Sequence, residues 1–291
     1  MNDYPLRVKG LEKDFRKKFR FSSFKAVDKI DFDLTEGEIL GFLGPNGAGK
    51  TTTIKCILGL LKPSAGEVLL WGSLPASPGV RKRIGYVPEN PDYDDSFTPM
   101  EYMTMFSSMR KLDMKNEAIH AILERVRLSG WENVRIKNFS KGMRQRVSFA
   151  LALQSEPDLM IMDEPTGGLD PVARKEFRDI ILEENRRGAS IFLSSHLLSE
   201  VETICDRALI LSNGKKVAEG RLEDLMHTED NYMVTYVIPG NDKPQELEIQ
   251  ADVLQKTIDD LRASGYSITS VNPLYRSLEE VFLSVTDRGD R

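Results

Sequence analysis

The 291-residue chain carries 40 lysines and arginines against 45 aspartates and glutamates, which gives a formal net charge of −5. This balance excludes the strongly basic surface of a general nucleic-acid binder, and we expect no nucleic-acid partner. The apolar fraction of 40% is enough for a packed core in one large domain or two ordinary ones. No stretch reaches the roughly 18 apolar residues that a membrane-spanning helix needs. Any role at a membrane is therefore expected to depend on a partner protein.

The first part of the chain predicts two half-buried strands, because residues 6–11 and 30–34 alternate apolar and polar side chains. Between these strands, residues 15–25 combine basic and aromatic side chains. This segment is interpreted either as a solvated hairpin loop or as a surface that contacts an adenine ring, lipid headgroups or a partner.

A glycine-rich loop follows and organises the chain. Residues 44–52 read GPNGAGKTT and match the phosphate-binding pattern GxxxxGK[ST], between an apolar run at 39–43 and a helical segment at 51–60. Glycines allow backbone N–H groups to close around phosphate oxygens at the helix N-terminus. Lys50 is expected at the β- and γ-phosphates and Thr51 on Mg²⁺. The predicted nucleotide-binding residues of this loop are Gly44, Pro45, Asn46, Gly47, Ala48, Gly49, Lys50, Thr51 and Thr52.

Helical segments dominate the middle of the chain. Residues 81–87 predict a short strand, and the prolines that follow mark irregular backbone. Thr98, Pro99 and Glu101 have the spacing of a capped helix start. Further helices are predicted at 115–127 and 141–154.

A continuous apolar run at 159–162 predicts a strand buried on both faces, and Asp163 and Glu164 end it. An acid in this position can hold Mg²⁺ opposite Thr51, and Glu164 can orient and deprotonate an attacking water. Strands then alternate with helices up to a predicted hairpin around Asn213 and Gly214, which favours an α/β domain with a mostly parallel sheet.

The pattern changes at Arg221. Short strands and helices up to the end of the chain predict a small α+β appendage with no catalytic constellation. We therefore expect two domains, at residues 1–220 and 221–291.

Four further segments resemble the motifs of ABC-type ATPases, in the order that this family has them. Residues 139–146 (FSKGMRQR) are similar to the family signature, and residues 168–171 (GLDP) to its D-loop. Residues 194–196 (SSH) resemble its switch histidine, and residues 86–89 (YVPE) fall at its Q-loop. The resemblance implies an ABC-type P-loop NTPase fold: a mixed sheet core with a β subdomain and a helical subdomain inserted at about 92–156.

The resemblance also implies roles for single residues. Phe15 matches the aromatic residue that stacks on adenine, although Phe19, Phe21 and Phe24 remain possible. The signature residues Ser140, Lys141 and Gly142 are expected to contact the γ-phosphate held by a second subunit. His196 is expected to bind the γ-phosphate, and Asp170 to lie at the dimer interface.

This sequence departs from the family pattern at two points. Lys141 and Met143 stand where many members have Gly and Gln. Glu89 replaces the Q-loop glutamine; a carboxylate can still bind Mg²⁺, but it adds negative charge near the phosphates.

The resemblance implies an ATP- and Mg²⁺-dependent ATPase subunit of an ABC transporter. Residues 273–283 (PLYRSLEEVFL) resemble the closing segment of stand-alone ATPase subunits of bacterial exporters, so an exporter is expected. The partners would be a separate transmembrane permease and a second ATPase subunit, identical or paralogous, at the cytoplasmic face of a bacterial membrane. An importer ATPase, a non-transport ABC ATPase and a nucleotide-binding regulator without turnover remain alternatives.

Overall fold

The computed structural model describes residues 4–16 and 23–286. The chain divides into two compact units, Met1–Gly220 and Arg221–Arg291. The first unit contains a largely parallel sheet, a small antiparallel sheet and a group of inserted helices, and this is the fold expected of an ABC-type ATPase.

The central sheet has six strands in the order β5-β6-β7-β3-β8-β9 among the described residues. The pairs β5–β6, β6–β7, β7–β3 and β3–β8 are parallel, so the carboxyl ends of these strands meet at one edge. Every residue of β3, β6 and β7 is buried, and the apolar runs of β3 and β6 predict this burial from the sequence. The strands are β3 (Ile39–Leu43), β5 (Ile84–Val87), β6 (Leu159–Asp163), β7 (Ser190–Ser195), β8 (Arg207–Ser212) and β9 (Lys215–Arg221).

An antiparallel sheet of order β2-β1-β4 packs on this core. Phe32 of β2 lies 5.7 Å, between ring centroids, from both Phe42 and Phe192 of the central sheet, and so joins the two sheets. The first two strands are longer than predicted, because they continue into the basic and aromatic segment and pair Phe15 with Phe24. The strands are β1 (Leu6–Arg16), β2 (Ser23–Leu34) and β4 (Ala65–Leu69).

Helices connect the strands and form the insertion. The capping box predicted at Thr98 is confirmed: its hydroxyl accepts from the N–H of Glu101, and the Glu101 carboxylate accepts from the N–H of Thr98. The prediction of a strand over residues 81–87 was partly wrong, because Ser77 and Pro78 begin a short helix before β5. The helices are α1 (Lys50–Ile57), α2 (Pro78–Lys82), α3 (Pro99–Arg110), α4 (Asn116–Arg125), α5 (Lys141–Leu153), α6 (Pro171–Arg186) and α7 (Leu198–Ile204).

The second unit is a three-stranded antiparallel sheet of order β11-β10-β12 with its own small core. Val234 and Ile249 of the sheet pack with Leu261 of α9, and Tyr236 and Tyr266 stack beside them. Within the described ranges of both units, we find no helix long and apolar enough to cross a membrane. The elements are α8 (Leu222–Met226), β10 (His227–Ile238), β11 (Asn241–Gln250), α9 (Ala251–Ala263), β12 (Ser267–Tyr275) and α10 (Leu278–Thr286).

Candidate nucleotide site

The glycine loop joins the buried end of β3 to the first turn of α1, as its sequence predicts. Gly49 is the N-terminal cap of α1 with φ 106°, and a Cβ atom there would lie 2.4 Å from the carbonyl oxygen of Ala26. Only glycine fits both restrictions, and it leaves the N-terminal N–H groups of α1 facing the loop. The carbonyl of Ala48 accepts from the N–H of Gly214, so the β8–β9 turn braces the loop.

Lys50 is buried and folds back over the loop. Its ammonium group donates to the carbonyl oxygens of Gly44, at 2.6 Å, and Pro45, at 3.4 Å. It also lies 3.3 Å from Oε1 of Glu164, at the end of β6. The predicted phosphate-binding lysine follows β3, and the predicted general base follows β6. The fold brings their side chains into contact.

Asp163 is 3% exposed and lies at the carboxyl end of β6. The hydroxyl of Ser194 on β7 donates to its Oδ1 at 2.7 Å. Burial raises the pKa of Asp163, while hydrogen bonds from Ser194 and Thr51 oppose that rise. A carboxylate beside a threonine hydroxyl at a helix N-terminus is a donor set that suits Mg²⁺, so the residues present fit the ion.

Glu164 has φ 49°, an uncommon backbone conformation for a residue with a side chain. Its carboxylate is nonetheless held firmly, because Oε2 accepts from the backbone N–H of His196 at 3.1 Å. The same oxygen lies 2.6 Å from Nδ1 of the His196 ring. Such strain commonly accompanies functional positions, where the surrounding contacts fix the side chain.

Lys50, Glu164 and His196 line one cleft with a volume of about 330 Å³. The predicted site residues Gly44, Ala48 and Asp163 are not part of its wall. Phe24 contributes to its wall, whereas Phe15 does not, although the two residues are directly paired across β1 and β2. The alternatives Phe19 and Phe21 lie outside the described residues. Glu89 also lines the cleft, next to Pro88, whose carbonyl accepts from the buried side chain of Gln145 on α5. The wall is formed by Phe24, Ala26, Pro45, Asn46, Gly47, Gly49, Lys50, Thr51, Thr52, Glu89, Glu164 and His196.

The signature residues lie elsewhere in the first unit. Ser140 is the N-terminal cap of α5 and accepts from the N–H of Met143, while Gly142 packs against Ala173 of α6. Asp170 caps α6 by accepting from two backbone N–H groups at 3.0 Å. Ser140, Gly142 and Asp170 line a second cleft of about 280 Å³, which shares no lining residue with the first. The ammonium group of Lys141 lies over Gly168 of the D-loop segment.

Four further side chains make contacts beside these sites and have no role in the sequence motifs. Ser194 holds Asp163, and Gln145 ties α5 to the backbone before Glu89. Arg174 on α6 and Glu200 on α7 approach each other behind the cleft. The first two stand within or beside the matched motifs, but no spacing rule indicated the partners of any of the four.

Known proteins resemble this chain in sequence and in fold. A family model described as "ABC transporter" matches residues 27–167. An uncharacterised ABC transporter ATP-binding protein of Nostoc sp. is 36% identical over 99% of this chain and 94% of its own length. The Nod factor export ATP-binding protein I of Burkholderia lata is 35% identical over 98% of this chain and 97% of its own. A solved ATP-binding subunit of an ABC transporter is 33% identical with a TM-score of 0.65, over 76% of this chain and 91% of that one.

Proposed function

Because this chain belongs to the ATP-binding subunits of ABC transporters, which hydrolyse ATP, we propose that it powers an exporter through a separate transmembrane permease. The observation that carries this proposal is the contact of Lys50 and His196 with the two oxygens of Glu164 in one cleft. A cation for the phosphates, a carboxylate for the attacking water and a second polar group are thereby assembled on rigid strand ends.

In this proposal, the glycine loop and Lys50 bind the phosphates of ATP, and Phe15 or Phe24 stacks on the adenine. Thr51, Asp163 and Glu89 would hold Mg²⁺, which would neutralise charge on the β- and γ-phosphates. Glu164 orients and deprotonates the attacking water, and His196 donates to the γ-phosphate.

The separation of the two clefts supports a head-to-tail pair of subunits. ABC cassettes act as dimers, and the signature cleft of this chain shares no wall with its own glycine loop. Ser140 leaves a neutral cap on the N-terminus of α5, whereas Asp170 places a carboxylate on that of α6. An incoming γ-phosphate is therefore favoured at α5, with Lys141 adding positive charge. ATP would close the pair, and hydrolysis would remove the contacts that hold it closed.

A groove beside Glu89 suits the permease. It has a volume of about 260 Å³, and Tyr86, Tyr93 and Phe106 give it an aromatic wall. Arg110 lies at this groove, and in the described part of the chain its guanidinium forms no ion pair with a carboxylate. On the same helix, Met109 is 70% exposed and can adapt to a partner surface. The permease would thus hold this chain at the cytoplasmic face of the membrane.

Export is favoured over import by the Nod factor export relative, which matches this chain over nearly its whole length, the second unit included. The closing segment at 273–283 supports the same choice. An importer would differ by requiring a substrate-binding protein for full turnover.

The test is co-expression with a candidate exporter permease, followed by purification through a tag on this subunit. We expect a stable complex that hydrolyses ATP without any substrate-binding protein. A complex that turns over only when a substrate-binding protein is added would contradict export. Absence of hydrolysis both alone and with the permease would contradict the whole proposal.

A further inference from the structure

A buried carboxylate lies outside the nucleotide cleft, in the first turn of the helix that follows His196. Glu200 on α7 is 5% exposed. Two guanidinium groups from α6 approach its Oε1: Nη1 of Arg178 at 3.5 Å and Nε of Arg174 at 3.9 Å. None of these three residues contributes to the wall of the nucleotide cleft. Glu200 therefore links α6 and α7 without belonging to the site already described.

Only one of the two arginines also forms a hydrogen bond with the D-loop. Nη2 of Arg174 donates to the carbonyl oxygen of Leu169 at 3.1 Å, and Leu169 immediately precedes Asp170. No such bond joins Arg178 to that loop among the described residues. A continuous series of contacts thus runs from the D-loop through Arg174 to Glu200, four residues after His196.

The contact between Arg174 and Glu200 is incomplete. Nε of Arg174 and Oε2 of Glu200 are both buried, and neither has a hydrogen-bond partner within the ranges that the structure describes. Buried polar groups are nearly always satisfied, and those that are not mark positions of strain or of function. A shift of less than 1 Å would bring Nε and Oε1 within hydrogen-bond distance.

The pair is also a poor source of stability. Burial raises the pKa of Glu200 in spite of the two arginines, so ionising this carboxylate inside the protein is unfavourable relative to water. A carboxylate kept for stability alone would instead have its pKa lowered by its partners.

We propose that Glu200 is a positioning residue that, through Arg174, couples the D-loop to His196. Contact of the D-loop with a second subunit would move the Leu169 carbonyl and with it Arg174, and the Arg174–Glu200 contact would tighten. The first turn of α7 would then fix His196 against Glu164 and the γ-phosphate. Each site would thereby respond to the presence of the second subunit. This inference rests on the proposed two-subunit ATPase.

The test compares Glu200→Gln, Arg174→Lys and the matched control Arg178→Gln in the ATPase-active assembly of the full chain. Glu200→Gln keeps the shape of the side chain, while Arg174→Lys keeps the charge but loses the fork that reaches both Leu169 and Glu200. We expect each to lower kcat about three- to tenfold with the KM for ATP unchanged, a range typical of residues that modulate coupling. Arg178→Gln should retain kcat within about twofold on the same reasoning.

The melting temperature shows whether a variant loses stability, and a double variant shows whether Glu200 and Arg174 act through one contact. Glu200→Gln should not lower the melting temperature, and adding Arg174→Lys should cost little further kcat because both act through one contact. The inference is overturned if Glu200→Gln keeps full kcat, or if Arg178→Gln lowers kcat equally. A loss of kcat that follows a falling melting temperature in both Glu200→Gln and Arg174→Lys would also overturn it. A wild-type assembly without hydrolysis would instead refute the proposed function.

Discussion

Nδ1 of His196 lies 2.6 Å from Oε2 of Glu164, while the other oxygen of that carboxylate lies 3.3 Å from the ammonium group of Lys50. Glu164 thus balances the charge of the lysine that is expected to bind phosphate. A nucleotide bound as proposed would compete with Glu164 for Lys50, and this exchange would free the carboxylate to act on water.

The first prediction concerns Glu164→Gln. We expect hydrolysis to fall by about 10²–10⁴-fold, because an amide cannot accept the proton of the attacking water. ADP should bind at least as tightly as to the wild type, since the competing negative charge at Lys50 is removed. Single-turnover hydrolysis and ADP titration measure the two effects, with the exposed Glu36→Gln as control. Unchanged hydrolysis would show that another group is the base.

The second prediction uses two glycines with the same φ of 106°, Gly49 and Gly188. A Cβ at Gly49 would meet the Ala26 carbonyl at 2.4 Å, whereas at Gly188 it would meet nothing within 4 Å. Gly188→Ala should cost about 1–2 kcal/mol of stability from backbone strain alone. Gly49→Ala should cost more and should also weaken nucleotide binding about tenfold or more, since the loop must move.

Thermal unfolding measures the loss of stability in the two glycine variants, and nucleotide titration measures their affinity. Equal nucleotide affinity in the two variants would mean that the close approach at Ala26 does not shape the loop.

The third prediction separates the two aromatic candidates for adenine. Phe24 lines the cleft and Phe15 is its direct cross-strand partner, so both side chains lie on one face of the sheet. Loss of a stacked ring costs about 1–3 kcal/mol, so Phe24→Ala should weaken ATP binding about 5- to 150-fold. Phe15→Ala should show a comparable loss only if Phe15 itself stacks on the base. Affinities for ATP and GTP, with Leu74→Ala as an exposed apolar control, decide between them.

The motifs predicted much of this site from sequence, because local rules govern its parts. The glycine loop, the buried β6 strand and the Thr98 capping box each depend on residues within one element, and the structure shows each where the sequence predicted it. The hairpin at Asn213 and Gly214 is confirmed for the same reason, with positive φ at both residues.

Longer-range features were not predictable in this way. The extension of β1 and β2 depends on cross-strand pairing of a basic segment whose composition favours solvent. The short helices α2 and α8 are too brief to show a helical period. Arg174 and Glu200 are 26 residues apart, and only the packing of α6 against α7 makes them neighbours. The pairing of Phe24, which lines the cleft, with Phe15 likewise depends on contacts between two strands.

The fourth prediction concerns the permease groove. Arg110 lies in an aromatic groove without an ion-pair partner among the described residues, so a carboxylate or a helix C-terminus of the permease is expected to meet it. Arg110→Glu should weaken co-purification of the permease several-fold while leaving nucleotide binding by the free chain unchanged. Lys62→Glu, which makes the same charge change outside the groove, serves as the control. Equal recovery of permease with both variants would place the docking surface elsewhere.

The last prediction follows from the raised pKa of Glu200 and concerns stability rather than catalysis. Burial lifts this pKa above the ordinary value of 4.5. The folded chain therefore holds the proton more tightly than the unfolded chain does. The stabilisation due to this group is fully present below about pH 4.5 and is lost as the pH rises through the folded-state value.

A glutamine at position 200 does not titrate, so the free energy of unfolding of Glu200→Gln should rise relative to that of the wild type between acidic and neutral pH. Denaturant unfolding of both proteins across this range measures the difference, with Glu36→Gln as a variant of an exposed carboxylate. The opposite slope would mean that Arg174 and Arg178 stabilise the ionised carboxylate more than burial destabilises it. Glu200 would then be a structural ion-pair residue, and the incomplete contact with Arg174 would have no bearing on how the D-loop reaches His196.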